Sequence, residues 1–361
     1  MWTYSNPVRI EFGAGAIRRL PALIGRRRWA LVTYDLPAFI KLGAAIAAEA
    51  CVPAVTIDNI VTNPDVKDLA RSCDLFGAVS PKPEVIVALG GGSIIDAAKI
   101  VAAAQGDFAR VLASLNGGAA LDGSTFTPII AVPSTAGTGS EVTSWATVWD
   151  QDGGNKYSLA NRALYPEVAV IDPAITVGAP RALTLATGLD ALSHALESLW
   201  NVNANPASAN FAVAAARDIL DVLPRLVDDL GNLDLRRRQA QAAVMAGLAF
   251  SNTKTALAHN ISYDITLRAG TIHGIACSFS LPMVMRWSLG HSAACDANLR
   301  RIFGTDLAVG AARLAAFLEG LGVSTDPGSY GLSPGDWKAL VVKATQGERG
   351  RNFVGQHDLA A

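Results

Sequence analysis

An α/β domain on a parallel sheet, followed by an all-α domain, is the architecture this sequence predicts, on three observations. Short β-branched runs alternate with helical stretches through the first half. Two of those runs end in glycine-rich turns of the kind that hold a phosphate group. From about Arg181 the strand pattern stops, and the chain turns Ala- and Leu-rich with helical periodicity. A length of 361 residues favours two domains over one core. The boundary falls near Val177–Pro180, giving domains 1–178 and 179–361.

In order along the chain, Trp29–Tyr34 reads as a strand, Ala38–Ala50 as a helix and Ala54–Ile57 as the next strand. Val85–Leu89 is an apolar strand ending in three glycines, Pro128–Pro133 another, and Val168–Pro173 the last. Beyond the boundary, Leu185, Leu189, Leu192, Leu196 and Leu199 trace one apolar helical stripe.

Half the residues are apolar, 17% are charged and the formal net charge is −1, which describes a compact chain without a polyanion-binding surface. Arg26–Arg28 and Arg236–Arg238 have no aromatic interleaving and read as solvated faces, so no nucleic-acid partner is expected. Cys51, Cys73, Cys277 and Cys295 include no Cys-x-x-Cys pair and read as buried thiols in a reducing cytoplasm rather than a disulfide framework. No run approaches membrane-span length, and Met1–Pro7 lacks a basic start followed by an apolar stretch. A cytoplasmic protein with no membrane partner is the expectation.

Gly90-Gly91-Gly92-Ser93-Ile94-Ile95-Asp96 follows a strand and opens a helix, where free amides and the positive helix end would hold a diphosphate. Ser93 and Asp96 also fit a capping box there. A second turn, Pro133–Thr143, offers hydroxyls beside Gly137 and Gly139. The usual G-x-G-x-x-G is absent, and the first strand runs straight into Tyr34-Asp35.

Of five histidines, three form a pattern with one carboxylate. Asp190 and His194, four apart on a helix, project from one face and can bind one ion. His259 and His273 would complete the set. One carboxylate with three imidazoles suits Fe(II) or Zn(II), and lacks the thiolates of a closed structural zinc site. The alternative is that each histidine is a hydrogen-bonded core residue.

Taken together, Gly90–Lys99, Pro133–Thr143, Gly188–Glu197 and His259–Gly274 resemble, in order and over nearly the whole chain, the iron-containing (group III metal-dependent) alcohol dehydrogenase family. The resemblance implies an N-terminal α/β domain and an all-helical C-terminal domain, the dehydroquinate-synthase-like architecture. It also implies Asp190, His194, His259 and His273 as metal ligands, NAD(H) or NADP(H) as cofactor, and a homodimer. Gly91, Gly92, Ser93 and Asp96 would line the diphosphate and nicotinamide side. Ser134, Thr135, Thr138 and Thr143 would contact the adenine and phosphate region, with Lys156 at the ribose and Asn63 beside the adenosine.

Where many members carry a second histidine, four residues after the third ligand, this chain has Tyr263. A phenol of pKa near 10 does not inherit an imidazole's proton-shuttling role at neutral pH. Tyr263, the Trp145–Asp150 segment and Asn203–Pro206 resemble the branch that reduces phosphonoacetaldehyde to 2-hydroxyethylphosphonate, with relatives acting on phosphonopyruvate. Tyr34 stands where NAD-preferring members place an aspartate, leaving NADH and NADPH both open.

By this resemblance the bound ion acts as a Lewis acid on a substrate carbonyl that accepts hydride from the nicotinamide. A phosphonate substrate needs cationic partners, for which Arg268, Arg351, Arg162 and Arg349 are the candidates, Arg268 and Arg351 favoured, with Trp145 a further candidate substrate residue. A general short-chain aldehyde reductase, a synthase-like lyase of the same fold, and a non-catalytic metal- and nucleotide-binding protein are the alternatives.

Overall fold

The computed structural model describes residues 1–360; the side chains at 268, 269 and 360 lie outside the description. Two compact units emerge, one of Pro7–Thr135 with Ser140–Gly178, the other of Met1–Asn6, Ala136–Gly139 and Ala179–Ala361.

The first unit carries a six-stranded parallel sheet made of β1 (Arg9–Phe12), β2 (Trp29–Val32), β3 (Val55–Ile57), β4 (Val85–Gly90), β5 (Ile129–Pro133) and, after an antiparallel hairpin of β6 (Trp145–Asp150) and β7 (Asn155–Ala160), β8 (Val168–Ile171). Its strand order is β1-β8-β5-β4-β2-β3. Strands β2, β4, β5 and β8 are buried at every residue, as expected of parallel strands covered by helices on both faces. Helices α1 (Leu20–Ile24), α2 (Pro37–Ala50), α3 (Val66–Gly77), α4 (Gly92–Ala104) and α5 (Phe108–Leu115) supply that cover.

From β2 the chain moves outward to β3, then crosses to β4 on the other side of β2. The carboxyl ends of β2 and β4 therefore flank a topological switch point, where open α/β sheets bind ligands. Tyr34 follows one of these strands and the Gly90–Gly92 turn ends the other.

The second unit holds α6 (Arg181–Glu197), α7 (Pro206–Asp228), α8 (Leu233–Thr253), α9 (Leu257–Ala269), α10 (His273–Ser278), α11 (Leu281–Ser288), α12 (Ala293–Phe303), α13 (Leu307–Gly320) and α14 (Pro334–Gln346). All but one of the residues from Thr184 to Glu197 on α6 are buried, so this helix is the unit's axis rather than an amphipathic surface helix. Helices α7, α8 and α10 pack around it. No helix among the described residues is long and apolar enough to cross a membrane.

Residues 1–6 and 136–139 lie with the helical unit, although the sequence reading groups them with the sheet. The Ser5 amide donates to Asn252 Oδ1 at 3.0 Å, and the Tyr4 hydroxyl donates to the Leu248 carbonyl at 3.2 Å. Gly137 lies against Thr187 so closely that an added Cβ would sit 2.5 Å from the Thr187 carbonyl oxygen.

Candidate metal centre and nucleotide-binding turn

Asp190 and His194 project from one face of α6, with His194 Nε2 3.8 Å from Asp190 Oδ1. The same carboxylate oxygen lies 3.5 Å from His259 Nε2. The imidazoles of His194 and His259 stack at 4.7 Å, and the His273 ring stands nearly perpendicular to that of His259 at 5.7 Å. Phe250 covers the other face of His194 at 4.0 Å. Asp190, His259 and His273, from α6, α9 and the first residue of α10, share one volume; His194 stands beside it against Asp190 and the His259 ring, outside the set of atoms that lie within 4.8 Å of one another.

Local packing explains the convergence. Gly274 lies so close to α6 that an added Cβ would stand 1.9 Å from the Ala186 carbonyl oxygen, so only glycine lets His273 approach. His259 is held by Glu197, a fully buried carboxylate one helical turn beyond His194. Glu197 accepts the backbone amides of Ala256 at 3.0 Å, Ala258 at 2.6 Å and His259 at 3.2 Å. It therefore caps α9, whose N-cap residue Ala256 has no side-chain hydrogen bond of its own.

Glu197 Oε2 also lies 2.5 Å from His259 Nδ1. A carboxylate behind Nδ1 turns the ring so that Nε2 faces Asp190, the orientation that carboxylate partners give to metal-binding histidines. Sequence reasoning missed this role, although Glu197 sits in the same motif at a spacing of three from His194.

Asp190 Oδ1 and His259 Nε2 are buried and have no hydrogen-bond partner. Two buried polar atoms 3.5 Å apart that make no well-formed hydrogen bond are costly, and a cation joining them would remove that cost. The residues present therefore fit a divalent ion. Burial alone would lift the Asp190 carboxyl, but His194, His259 and His273 together hold it well below the ordinary carboxylate range. Burial pushes His194 down to about 4, keeping the ring neutral and available as a ligand. For Glu197 burial also opposes ionisation, and the His259 ring with the amides it caps outweighs it.

Cys277, one turn after His273 on α10, is the second residue the sequence reading passed over. Its Sγ lies 3.7 Å from His273 Nδ1 and 3.6 Å from Nε2. Asp190, His259, His273 and Cys277 each place one ligand atom within 4.8 Å of all the others. Tyr263 is half-buried, its ring parallel to His273 at 6.4 Å.

In the sheet unit, α4 begins at Gly91, whose cap position carries no side-chain hydrogen bond. The capping box expected of Ser93 and Asp96 is not formed. Ser93 Oγ instead accepts the Asn63 amide at 3.2 Å, with Asn63 in the left-handed region at φ 59°. Asp96 accepts the Ser140 hydroxyl at 2.5 Å and the Thr147 amide at 2.9 Å. The first-turn amides of α4 are thereby left without a side-chain cap, as an anion site requires. Gly90 is obligatory, because an added Cβ would meet Ile94 Cγ1 at 2.4 Å; at Gly91 it would only touch Thr135 at 3.5 Å and the Tyr34 hydroxyl at 3.6 Å.

Lys99, absent from the sequence reading as a site residue, is fully buried and donates to the Ser140 carbonyl at 2.7 Å, Ser140 Oγ at 3.1 Å, Thr143 Oγ1 at 3.3 Å and the Trp145 carbonyl at 2.9 Å. Thr143 and Asp96, expected at the cofactor, are thus tied into an internal network. Ser134 is buried with its amide on the Gly90 carbonyl at 3.0 Å, which joins the two glycine-rich turns; Gly92 and Thr135 beside it are half-buried. Lys156 lies over the Trp149 ring at 5.2 Å. Thr138 is half-buried in the helical unit, and Trp145 is half-buried on β6. Arg162 and Arg351 are exposed and Arg349 is half-buried, while the Arg268 side chain lies outside the described residues.

Two family models cover the chain, iron-containing alcohol dehydrogenase over residues 7–173 and the C-terminal part of the Fe-containing alcohol dehydrogenase family over residues 184–354. The chain belongs to the iron-containing alcohol dehydrogenase family. It is accordingly an oxidoreductase of the alcohol dehydrogenase class.

Among its relatives, the 1-propanol dehydrogenase PduQ of Citrobacter freundii is 30% identical over 291 residues, covering 80% of this chain and 74% of that protein. The phosphonoacetaldehyde reductase of Streptomyces viridochromogenes is 37% identical over 243 residues, 65% of this chain and 60% of that protein. Among solved structures, the sulfoacetaldehyde reductase of Bifidobacterium kashiwanohense in complex with NAD+ aligns over 99% of this chain and 96% of its own, with a TM-score of 0.89 at 28% identity.

Proposed function

We propose that this enzyme reduces the carbonyl of a small phosphonate, phosphonoacetaldehyde or phosphonopyruvate, with NADH or NADPH, at a divalent ion held by Asp190, His194, His259 and His273. The observation that carries the metal reading is the pair of buried, unpartnered ligand atoms, Asp190 Oδ1 and His259 Nε2. An ion bound there, Fe(II) or Zn(II), supplies Lewis-acid polarisation of a carbonyl and stabilises negative charge developing on its oxygen.

The chain's own groups supply the remaining requirements. Asp190 contributes the one formal negative charge of the proposed ligand set, and Glu197 fixes the direction of His259. Phe250 shields the outer face of His194 from water. Tyr263, its ring parallel to that of His273 at 6.4 Å, brings a phenol hydroxyl, a group able to donate a hydrogen bond, beside the proposed ligands. The uncapped start of α4 is the proposed seat of the cofactor diphosphate, with Gly91, Gly92 and Ser93 against it and Asn63, Ser134, Thr135 and Lys156 toward its other groups.

Support for an anionic two-carbon aldehyde comes from the names of two similar proteins, a phosphonoacetaldehyde reductase and a sulfoacetaldehyde reductase, whose substrates share a tetrahedral anionic group beside the aldehyde. A second reading, a general short-chain aldehyde reductase, is favoured by the wider coverage of the 1-propanol dehydrogenase relative and by the exposure of Arg162 and Arg351.

The deciding experiment compares kcat/KM for phosphonoacetaldehyde, phosphonopyruvate and propionaldehyde with each nicotinamide, after loading with Fe(II) or Zn(II). A phosphonate preference of at least about tenfold supports the first reading. Equal values support the second. Replacing Arg351 or Arg268 with Ala should raise KM for the phosphonate alone if either binds the anionic group.

A further inference from the structure

We infer that Cys277 supplies a sulfur ligand to the metal centre, so that the ion is held by a mixed oxygen, nitrogen and sulfur set rather than by oxygen and nitrogen alone. The inference rests on the metal reading above and deepens it. Three observations carry it.

First, the side chains that share one small volume are Asp190, His259, His273 and Cys277, with one ligand atom from each within 4.8 Å of the rest. Second, Cys277 follows His273 by one helical turn on α10, so both side chains leave the same face, and the Gly274 contact with the Ala186 carbonyl holds that face against α6. Third, two of the other members, Asp190 Oδ1 and His259 Nε2, are buried without partners. The thiol is therefore fully buried beside atoms that themselves require a cation, not an isolated core cysteine.

On binding, the metal–sulfur bond forms as the S–H bond breaks, and the thiol proton leaves to solvent without any redox change. A sulfur donor shifts selectivity toward Zn(II), Co(II) and Fe(II), and away from Mg(II) and Mn(II), which favour oxygen.

The test uses the full-length enzyme, stripped with a chelator and titrated with Co(II). The expected result is one Co(II) per chain, with visible ligand-field bands and an intense near-ultraviolet sulfur-to-cobalt band. The near-ultraviolet band should vanish in Cys277→Ser while the visible bands persist. A roughly hundredfold excess of Mg(II) should leave the wild-type spectrum unchanged.

X-ray absorption at the zinc edge of the wild-type Zn(II) form provides a readout that needs no variant, with a sulfur scatterer expected at about 2.3 Å. Visible bands without the near-ultraviolet band, or a zinc shell of only oxygen and nitrogen, overturn the sulfur ligand and leave the metal reading intact. No Co(II) or Zn(II) bound at all overturns both.

Discussion

Two buried polar clusters, one in each unit, look alike in composition and differ in one respect. Around Lys99, the ammonium has four oxygen acceptors and both oxygens of Asp96 have donors. Around Asp190, a carboxylate and histidines lie as close together, yet Asp190 Oδ1 and His259 Nε2 are left without partners. A satisfied network is complete as protein and fixes the backbone around it. An unsatisfied one is costly as protein alone, and its donor set fits a cation that supplies the missing partner.

Four experiments break or sharpen that contrast, the strongest first. Asp190→Asn removes the charge shared by the proposed ligands, and should reduce bound metal from about one ion per chain toward none and kcat by on the order of 10³-fold. Metal content by plasma mass spectrometry and steady-state rates check it; retained metal would show that the orphaned oxygen is not a ligand.

Lys99→Met should do the reverse. Loss of the ammonium removes a charged donor from the Ser140 and Trp145 carbonyls in a buried network, and the cost should be on the order of 3 kcal/mol of stability. The urea midpoint should fall while metal content stays unchanged.

Glu197→Gln keeps an oxygen for the α9 amides but removes the charge behind His259. Metal affinity should fall about 10–100-fold, measured by competition with a chromophoric chelator, while the melting temperature of the metal-free protein changes little. A large loss of metal-free stability with unchanged affinity would make Glu197 a helix cap and nothing more.

The smallest effect concerns Glu141, which burial pushes up to about 7 from the ordinary 4.5, with Lys99 opposing. Between those values the folded state holds a proton that the unfolded state has lost, so stability should decline as pH rises through that window. Glu141→Gln should flatten this segment of the stability–pH curve. An unchanged slope would assign the decline to another group.

Much of the sheet was readable because central parallel strands must be apolar on both faces. Trp29–Val32, Val85–Gly90, Ile129–Pro133 and Val168–Ile171 stand out as continuous runs for that reason. Edge strand β1 did not, since three of its four residues are not buried and Arg9 and Glu11 interrupt the pattern. Strand β7, Asn155–Ala160, buries only Leu159, and the hairpin it forms with β6 left no apolar run on that side. At the glycine turn, the sequence suggested a local capping box, but Ser93 and Asp96 found partners 30 and 44 residues away.

What the sequence determined by itself are relations within one helical turn: Asp190 with His194, the β4–Gly90 transition, and the fully apolar strands. These follow from the rise and rotation of a single helix or strand, which residue spacing reports directly. Tertiary structure alone decided which turn meets which. Glu197 reaches His259 across 62 residues because the end of α6 lands on the start of α9. Cys277 reaches the Asp190 centre because Gly274 lets α10 lie against the backbone of α6. Such meetings depend on the packing of whole helices, and no spacing along the chain encodes them.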